Sequence, residues 1–284
     1  MRVWPFSHIA QQLVKWLTKE HEPSEIAMCD IERVVEALLP ADVLLVEGRS
    51  RISEVIKVTT RSNWSHSALY IGRIKDYPEG KTKDQLTRYF SGSHDEPLLI
   101  EAILGRGVIL TPVRDYAKDH LRLCRASALA AEDQQAVINY CISSLGEHYN
   151  LRRIVDLLRL LFPITFMPRY AFTSLLNPIK ARKERRHICS SLIARAFHSV
   201  KYPILPRIVK KPGNTFELIP RNPALFTPKD FDFSPYFQII KYPLYGFTKD
   251  TAYKSFPWNQ DGLMSNDDAG IFDPKSLMDD EKQT

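Results

Sequence analysis

Glycine and cysteine are both sparse in this 284-residue chain, which has 11 of the first and 4 of the second. The glycines never form G-x-G-x-x-G or G-x-x-x-x-G-K-[ST], so the backbone cradle that nucleotide phosphates need is missing. Gly105-Arg106-Gly107 reads instead as a hairpin turn. Cys29, Cys124, Cys141 and Cys189 include no Cys-x-x-Cys pair and have no histidine at zinc-ligand spacing. That excludes a disulfide framework and argues against a structural metal site. No metal and no cofactor are expected. H-E-x-x-H and G-x-S-x-G are absent, and Asp267-Asp268 lacks the spacing of an EF-hand. No run approaches the roughly 18 to 20 apolar residues of a membrane span; the most apolar, 157–167, is broken by Arg159 and Pro163. The first eight residues lack the apolar region and cleavage site of a signal peptide. The chain therefore reads as cytoplasmic, with reduced thiols.

What is present suits a globular fold: 44% hydrophobic and 25% charged residues, in a length that fits one large domain or two small ones. The net charge of +6 is uneven, because from Lys249 onward there are four basic and eight acidic residues. The body is basic and the tail acidic. Phe6, Ile9, Leu13, Trp16 and Leu17 recur at helical spacing, as an amphipathic helix that either packs on the body or lies on a membrane surface. A second helix fits 24–39, capped by Ser24, with Cys29 inside it. Strands are expected at 43–46, 66–74, 98–103, 108–110, 121–125 and 236–241, and helices at 53–60, 131–145, 151–161 and 189–200. Sequential strands with helices gathered at both ends indicate an α+β domain. The organisation is an N-terminal helical extension over 1–39, a main domain over 40–248 and an acidic tail over 249–284.

With nucleotide, metal and serine-hydrolase signatures absent, thiol chemistry remains. Cys189 opens a helical pattern after the basic loop 180–187. A helix N-terminus presents unpaired backbone N–H groups and a positive dipole end, both of which favour thiolate. Cys124, Cys141 and Cys29 read as small buried hydrophobes. A thiolate nucleophile needs a base, and the base an orienting acceptor. His66 starts an apolar strand, and Glu101 is an acid within the otherwise apolar Leu98-Leu99-Ile100-Glu101-Ala102, where it must be paired or face a cleft.

The ordered set Ala41-Asp42-Val43-Leu44-Leu45-Val46, Trp64-Ser65-His66, Ile100-Glu101-Ala102, Leu145-Gly146-Glu147-His148-Tyr149 and Cys189-Ser190-Ser191-Leu192 resembles the permuted papain-like cysteine hydrolases of the NlpC superfamily. Within it the closest look is to the YiiX/YebB-like group, related to lecithin:retinol acyltransferase-like enzymes. The resemblance runs from about 40 to 202, with a weaker echo over 228–237. It implies a circularly permuted papain-like fold, an antiparallel sheet with packed helices, in which the histidine precedes the cysteine. It further implies Cys189 as nucleophile, His66 as general base and then acid, and Glu101 as the group that orients His66. Gly146 and Tyr149 match the family's Gly-x-x-Tyr element, which makes Tyr149, with Ser190, a candidate for substrate or oxyanion contact. The reaction so implied cleaves an amide, ester or thioester through an acyl-enzyme on Cys189, by hydrolysis or acyl transfer, on a lipid or other acylated substrate. Two alternatives stay open: a peptidase or amidase of short peptides, and a catalytically idle acyl- or peptide-binding module that docks on membranes. The stretch 150–187 carries nine Arg or Lys against two acids among many apolar residues. It is read as a basic, apolar insertion suited to an anionic lipid or membrane surface. The partners expected are a small acylated or peptide substrate and a peripheral anionic membrane, with no nucleic acid.

Overall fold

The computed structural model describes residues 12, 14–20, 29–147, 189–246, 251–261, 263–265 and 271–272. The chain divides into two compact units, 1–244 and 245–284.

In the first unit, an antiparallel sheet of six strands has the order β4-β3-β2-β1-β5-β8. The strands are β1 (Val43–Glu47), β2 (His66–Gly72), β3 (Leu98–Ile103), β4 (Gly107–Pro112), β5 (His120–Ala126) and β8 (Phe237–Ile240). Alternation along each strand sends side chains to two faces, and both are buried, which is why these segments read as near-continuous apolar runs. Val43, Leu45, Leu69, Ile71, Ile100 and Cys124 share one face with the helices α4 (Ala131–Ser143) and α5 (Cys189–Ser199). Leu44, Val46, Ala68, Tyr70, Leu99 and Leu123 share the other with α1 (Ile31–Ala37). The antiparallel α+β expectation holds.

Local chemistry sets the helix starts. Ser50 caps α2 (Arg51–Thr60) by accepting from Ser53 N, and Arg61 closes it in the left-handed conformation. Asp30 caps α1 by accepting from Arg33 N at 3.2 Å. The helix expected over 24–39 therefore begins only at Ile31, and Cys29 is not inside it but in an isolated bridge to Pro243. A carboxylate at the cap fixes the start more firmly than the upstream periodicity does. The structure also contains α3 (Lys81–Tyr89), a helix the apolar periodicity did not announce, because only Leu86 of it is buried.

Two carboxylates, Asp42 buried and Asp232 half-buried, tie the layers together. Asp42, 2% exposed, accepts two hydrogen bonds from Arg125, at 2.9 and 2.7 Å, and one from Leu39 N at 2.7 Å. Asp232, in α6 (Lys229–Phe233), pairs with Arg122 at 2.7 Å and accepts the indole N–H of Trp64 at 3.1 Å, while the Arg122 guanidinium lies over that indole. The segment 228–237 is thereby fastened beside the start of β2. Two further strands, β6 (Arg207–Lys211) and β7 (Thr215–Ile219), form a separate hairpin.

In the second unit, a 3-10 turn at Ala252–Ser255 is followed by β9 (Met264–Ser265) paired with β10 (Ile271–Phe272), and Tyr245 packs on Phe256 with ring centroids 5.4 Å apart. Among the described residues no helix is long and apolar enough to cross a membrane.

Removing one partner of a buried ion pair leaves an uncompensated charge. Arg125→Ala should therefore lower stability by about 3 kcal/mol and the melting temperature by roughly 6–12 °C, read by thermal unfolding. An unchanged melting temperature would show that Asp42 finds no net support in Arg125.

Candidate active site

The residues that could do chemistry meet where the sheet opens. β2 pairs with β3 from Leu69 (opposite Ile100) onward, so the His66 end of β2 lies beyond that ladder. By alternation His66 shares the face of Ala68 and Tyr70, and Glu101 the face of Leu99. The two side chains meet directly, His66 Nε2 against Glu101 Oε2. The helix α5 approaches from the opposite face and presents Cys189 at its first turn, 6% exposed. With Nε2 committed to Glu101, Nδ1 is the imidazole nitrogen left for the Cys189 sulfur, to which His66 is hydrogen-bonded. Strand, strand and helix thus each contribute one group, 35 residues apart in the first pair.

Glu101 is wholly buried, and its Oε2 also accepts the Tyr116 hydroxyl at 2.6 Å. Tyr116 ends a 3-10 turn that follows β4, and its ring stacks on His66 with centroids 6.4 Å apart and an interplanar angle of 26°. The Thr111 hydroxyl lies near the carboxylate on the same face, but neither it nor Glu101 Oε1 completes a hydrogen bond. The carboxylate charge therefore rests on Oε2 and its two partners.

Electrostatics follow from this geometry. Burial pushes Glu101 up, but the His66 charge and hydrogen bond, with Thr111 and Tyr116, more than reverse it and hold the carboxyl below its ordinary range. Burial likewise favours neutral His66, yet the adjacent Cys189 and Glu101 charges raise its pKa to about 10. For Cys189, burial opposes ionisation, and the His66 charge, its hydrogen bond and the Ser67 backbone N–H bring the thiol below its usual value. The mutual charges thus favour thiolate at Cys189, imidazolium at His66 and carboxylate at Glu101. The other cysteines behave oppositely: burial raises Cys29, Cys124 and Cys141, as expected of inert core thiols.

His66 and Cys189 open on a cavity of about 440 Å³, lined by Val46, Ile52, Ile56, Ile103, Leu225 and Phe226. Arg49 stands at its polar side, bonded to Asp119 at 2.9 Å. Gly48 is required beside it, because a Cβ there would fall 2.5 Å from Ser53 Oγ and 2.8 Å from Ser65 Oγ.

The sequence therefore named the three central residues, and the structure brings Cys189, His66 and Glu101 together. Ser190 lines the cavity, but its hydroxyl donates to the Phe226 carbonyl at 2.6 Å, fastening α5 to the cavity wall. Tyr149 and the insertion 150–187 lie outside the described residues. Gly146 is described, with φ 81° and so little room that a Cβ would meet Tyr89 Oη at 2.5 Å. Sequence reasoning missed Tyr116 and Ser67. Ser67 directly follows His66 and could have been named from that; Tyr116 carries no signal in spacing. Among the described residues, no three His, Cys, Asp or Glu side chains are grouped as metal ligands.

Comparison with known proteins bears on the family resemblance. Residues 38–156 match the family described as permuted papain-like amidase enzymes, YaeF/YiiX, C92. The match bears out the permuted papain-like, YiiX-like resemblance; it spans His66 and Glu101 and ends ahead of Cys189. The crystal structure of the metalloprotein YiiX from Escherichia coli O157:H7 aligns over 72% of this chain and 96% of its own, at 15% identity and a TM-score of 0.43. No curated protein matches.

The protonation states predict how Cys189 reacts with iodoacetamide. Its lowered pKa keeps the thiolate present well below pH 9, so alkylation should proceed at pH 7 and fade only as the pH drops through that lowered value. His66→Ala removes the partner charge and leaves burial, so alkylation at pH 7 should fall roughly ten- to hundredfold. Tyr116→Phe keeps the stack and removes one hydrogen bond, and should move the His66 titration without abolishing alkylation. Equal rates in wild type and His66→Ala would show that no ion pair forms.

Proposed function

We propose that this chain is a thiol-dependent amidase that hydrolyses amides of apolar carboxylic acids through an acyl-thioester on Cys189. The matched family is one of amidases, and the observation that carries the finer reading is the thiolate–imidazolium pair opening on a cavity with aliphatic walls.

The thiolate needs no prior deprotonation. Its sulfur attacks the amide carbonyl carbon, the C=O electrons move to oxygen, and the helix N-terminus that carries Cys189 favours the charge that develops. His66, already protonated, gives its proton to the amine nitrogen as the C–N bond breaks, and the amine leaves. Neutral His66 then takes a proton from water, whose oxygen attacks the thioester. Collapse releases the carboxylic acid and restores the pair. Glu101 supports the imidazolium throughout and holds the ring with Nδ1 toward the sulfur. Ile52 and Ile56 of α2, with Leu225 and Phe226 opposite, receive the acyl part.

This assignment fixes the pH dependence. Turnover needs thiolate and imidazolium together, so it should rise through the lowered Cys189 pKa and fall as His66 loses its proton near pH 10. Alkylation, which needs only thiolate, should persist above that limit.

A series of N-acyl amides of increasing chain length tests the substrate class. kcat/KM should climb about three- to fourfold per added methylene until the cavity fills, following about 0.8 kcal/mol per buried CH2. Ile56→Glu should flatten that climb while leaving short acyl amides unaffected. Cys189→Ala should abolish turnover, wild type should yield a thioester adduct by mass spectrometry, and Glu101→Gln should impair turnover less than His66→Ala. Full turnover by Cys189→Ala would overturn the assignment. Preference for short peptides over acyl amides would instead favour a peptidase.

A further inference from the structure

The hairpin of β6 and β7 is the most exposed part of the first unit. Its register pairs Ile208 with Leu218 and Lys210 with Phe216, so these four side chains share one face. Ile208 is 60%, Phe216 66% and Leu218 50% exposed, and of the two strands only Val209 is partly covered. A lone two-stranded hairpin is marginal in water, and proteins seldom leave large apolar side chains clustered in solvent without a use for them.

Charge indicates which kind of surface covers this face. Arg207, Lys210 and Lys211 face a single acid, Glu217, which pairs with Lys211 at 2.9 Å. Cations of one sign around aliphatic and aromatic side chains are the composition that binds the interface of an anionic bilayer. Both ends of the hairpin are firmly held. Upstream, Ile204 is fully buried and its carbonyl accepts the Ser234 hydroxyl. Downstream, Arg221 bonds Asp230 at 3.0 Å and lies over the Phe226 ring. The chain then runs from β7 directly into 224–228, the segment that walls the cavity, where Leu225 is 53% exposed.

We infer that the β6–β7 hairpin is a membrane-docking element. It lays Ile208, Phe216 and Leu218 into the interface of an anionic bilayer, with Lys210 of the same face on lipid phosphates and Arg207 and Lys211, on the other face, adding to the attraction toward the charged surface. The cavity wall at 224–228 follows the hairpin immediately in the chain. The inference goes beyond the amidase reading and stands without it.

Flotation of the full chain with vesicles tests this, using phosphatidylcholine alone and an equimolar mixture with phosphatidylglycerol, at low and at high salt. The chain should float with the anionic vesicles at low salt, much less at high salt, and barely with neutral ones. Lys210→Glu with Lys211→Glu, solvent-facing changes that leave the apolar residues in place, should weaken binding roughly tenfold or more. Ile208→Ser, Phe216→Ser and Leu218→Ser together should abolish it. Cys189 alkylation in the same samples reports whether each variant keeps its fold, and Cys189→Ala protein should float like wild type, so a failure of docking and a failure of the amidase reading are told apart. Absence of wild-type binding at low salt, or equal binding by the charge-reversed chain, would falsify the inference. So would a concentration-dependent dimer that the triple variant loses, since a second copy would then be what covers the face.

Discussion

A carboxylate with no exposure to water has to be neutralised or balanced, and Glu101 sits in that position in the middle of an apolar strand. Everything at the site follows from how this is managed. Only one oxygen is satisfied, by His66 and Tyr116, while the other completes no hydrogen bond. Proton loss from His66 would leave Glu101 without its main counter-charge, which favours the protonated imidazole, and a protonated imidazole in turn lowers the pKa of the Cys189 thiol. Three separate desolvation costs, each of which opposes its own group's charge, are offset by mutual attraction within the set. The cost of burying Glu101 is thus coupled to the lowered pKa of Cys189.

The sheet explains why three distant segments can do this. His66 and Glu101 lie on one face, where Thr111 and Tyr116 also belong, while α5 packs on the opposite face through Leu192, Ile193 and Phe197. A cysteine in the middle of α5 would be walled off from His66 by the strands. At the first turn, beyond the end of the β2–β3 ladder, it reaches around the sheet edge.

How much of this was legible depended on burial. β1, β2 and β3 are largely apolar on both faces and stood out in the sequence, and the lone acid Glu101 was conspicuous because its neighbours are so uniformly hydrophobic. Cys189 was legible from its place at a helix start. The hairpin β6–β7 was not, since its side chains are solvent-facing on both sides and show no buried alternation. α3 escaped for a related reason, with one buried residue to mark its period. Tyr116 was invisible because its role depends on a turn that brings it back over β3, a three-dimensional fact with no counterpart in spacing. Cys29 was misplaced because apolar periodicity extends across Asp30, whose side chain caps the helix that begins at Ile31.

The cavity, in contrast, belongs to no single element, which sets what mutations around it can do. Ile52 and Ile56 come from α2, Val46 from β1, Ile103 from β3, and Leu225 and Phe226 from the segment after β7. The α2 wall is anchored through the Ser50 cap and Gly48, and the opposite wall through Ser190 to Phe226 and Arg221 to Asp230. The bond from Ser190 couples the residue after Cys189 to the cavity wall at Phe226. A displacement of that wall therefore also pulls on the helix start that sets the position of Cys189. The cavity wall and the sulfur are mechanically linked, so under the proposed amidase function changes at Phe226 should alter KM and kcat together, whereas changes confined to Ile52 or Ile56 should act on KM alone.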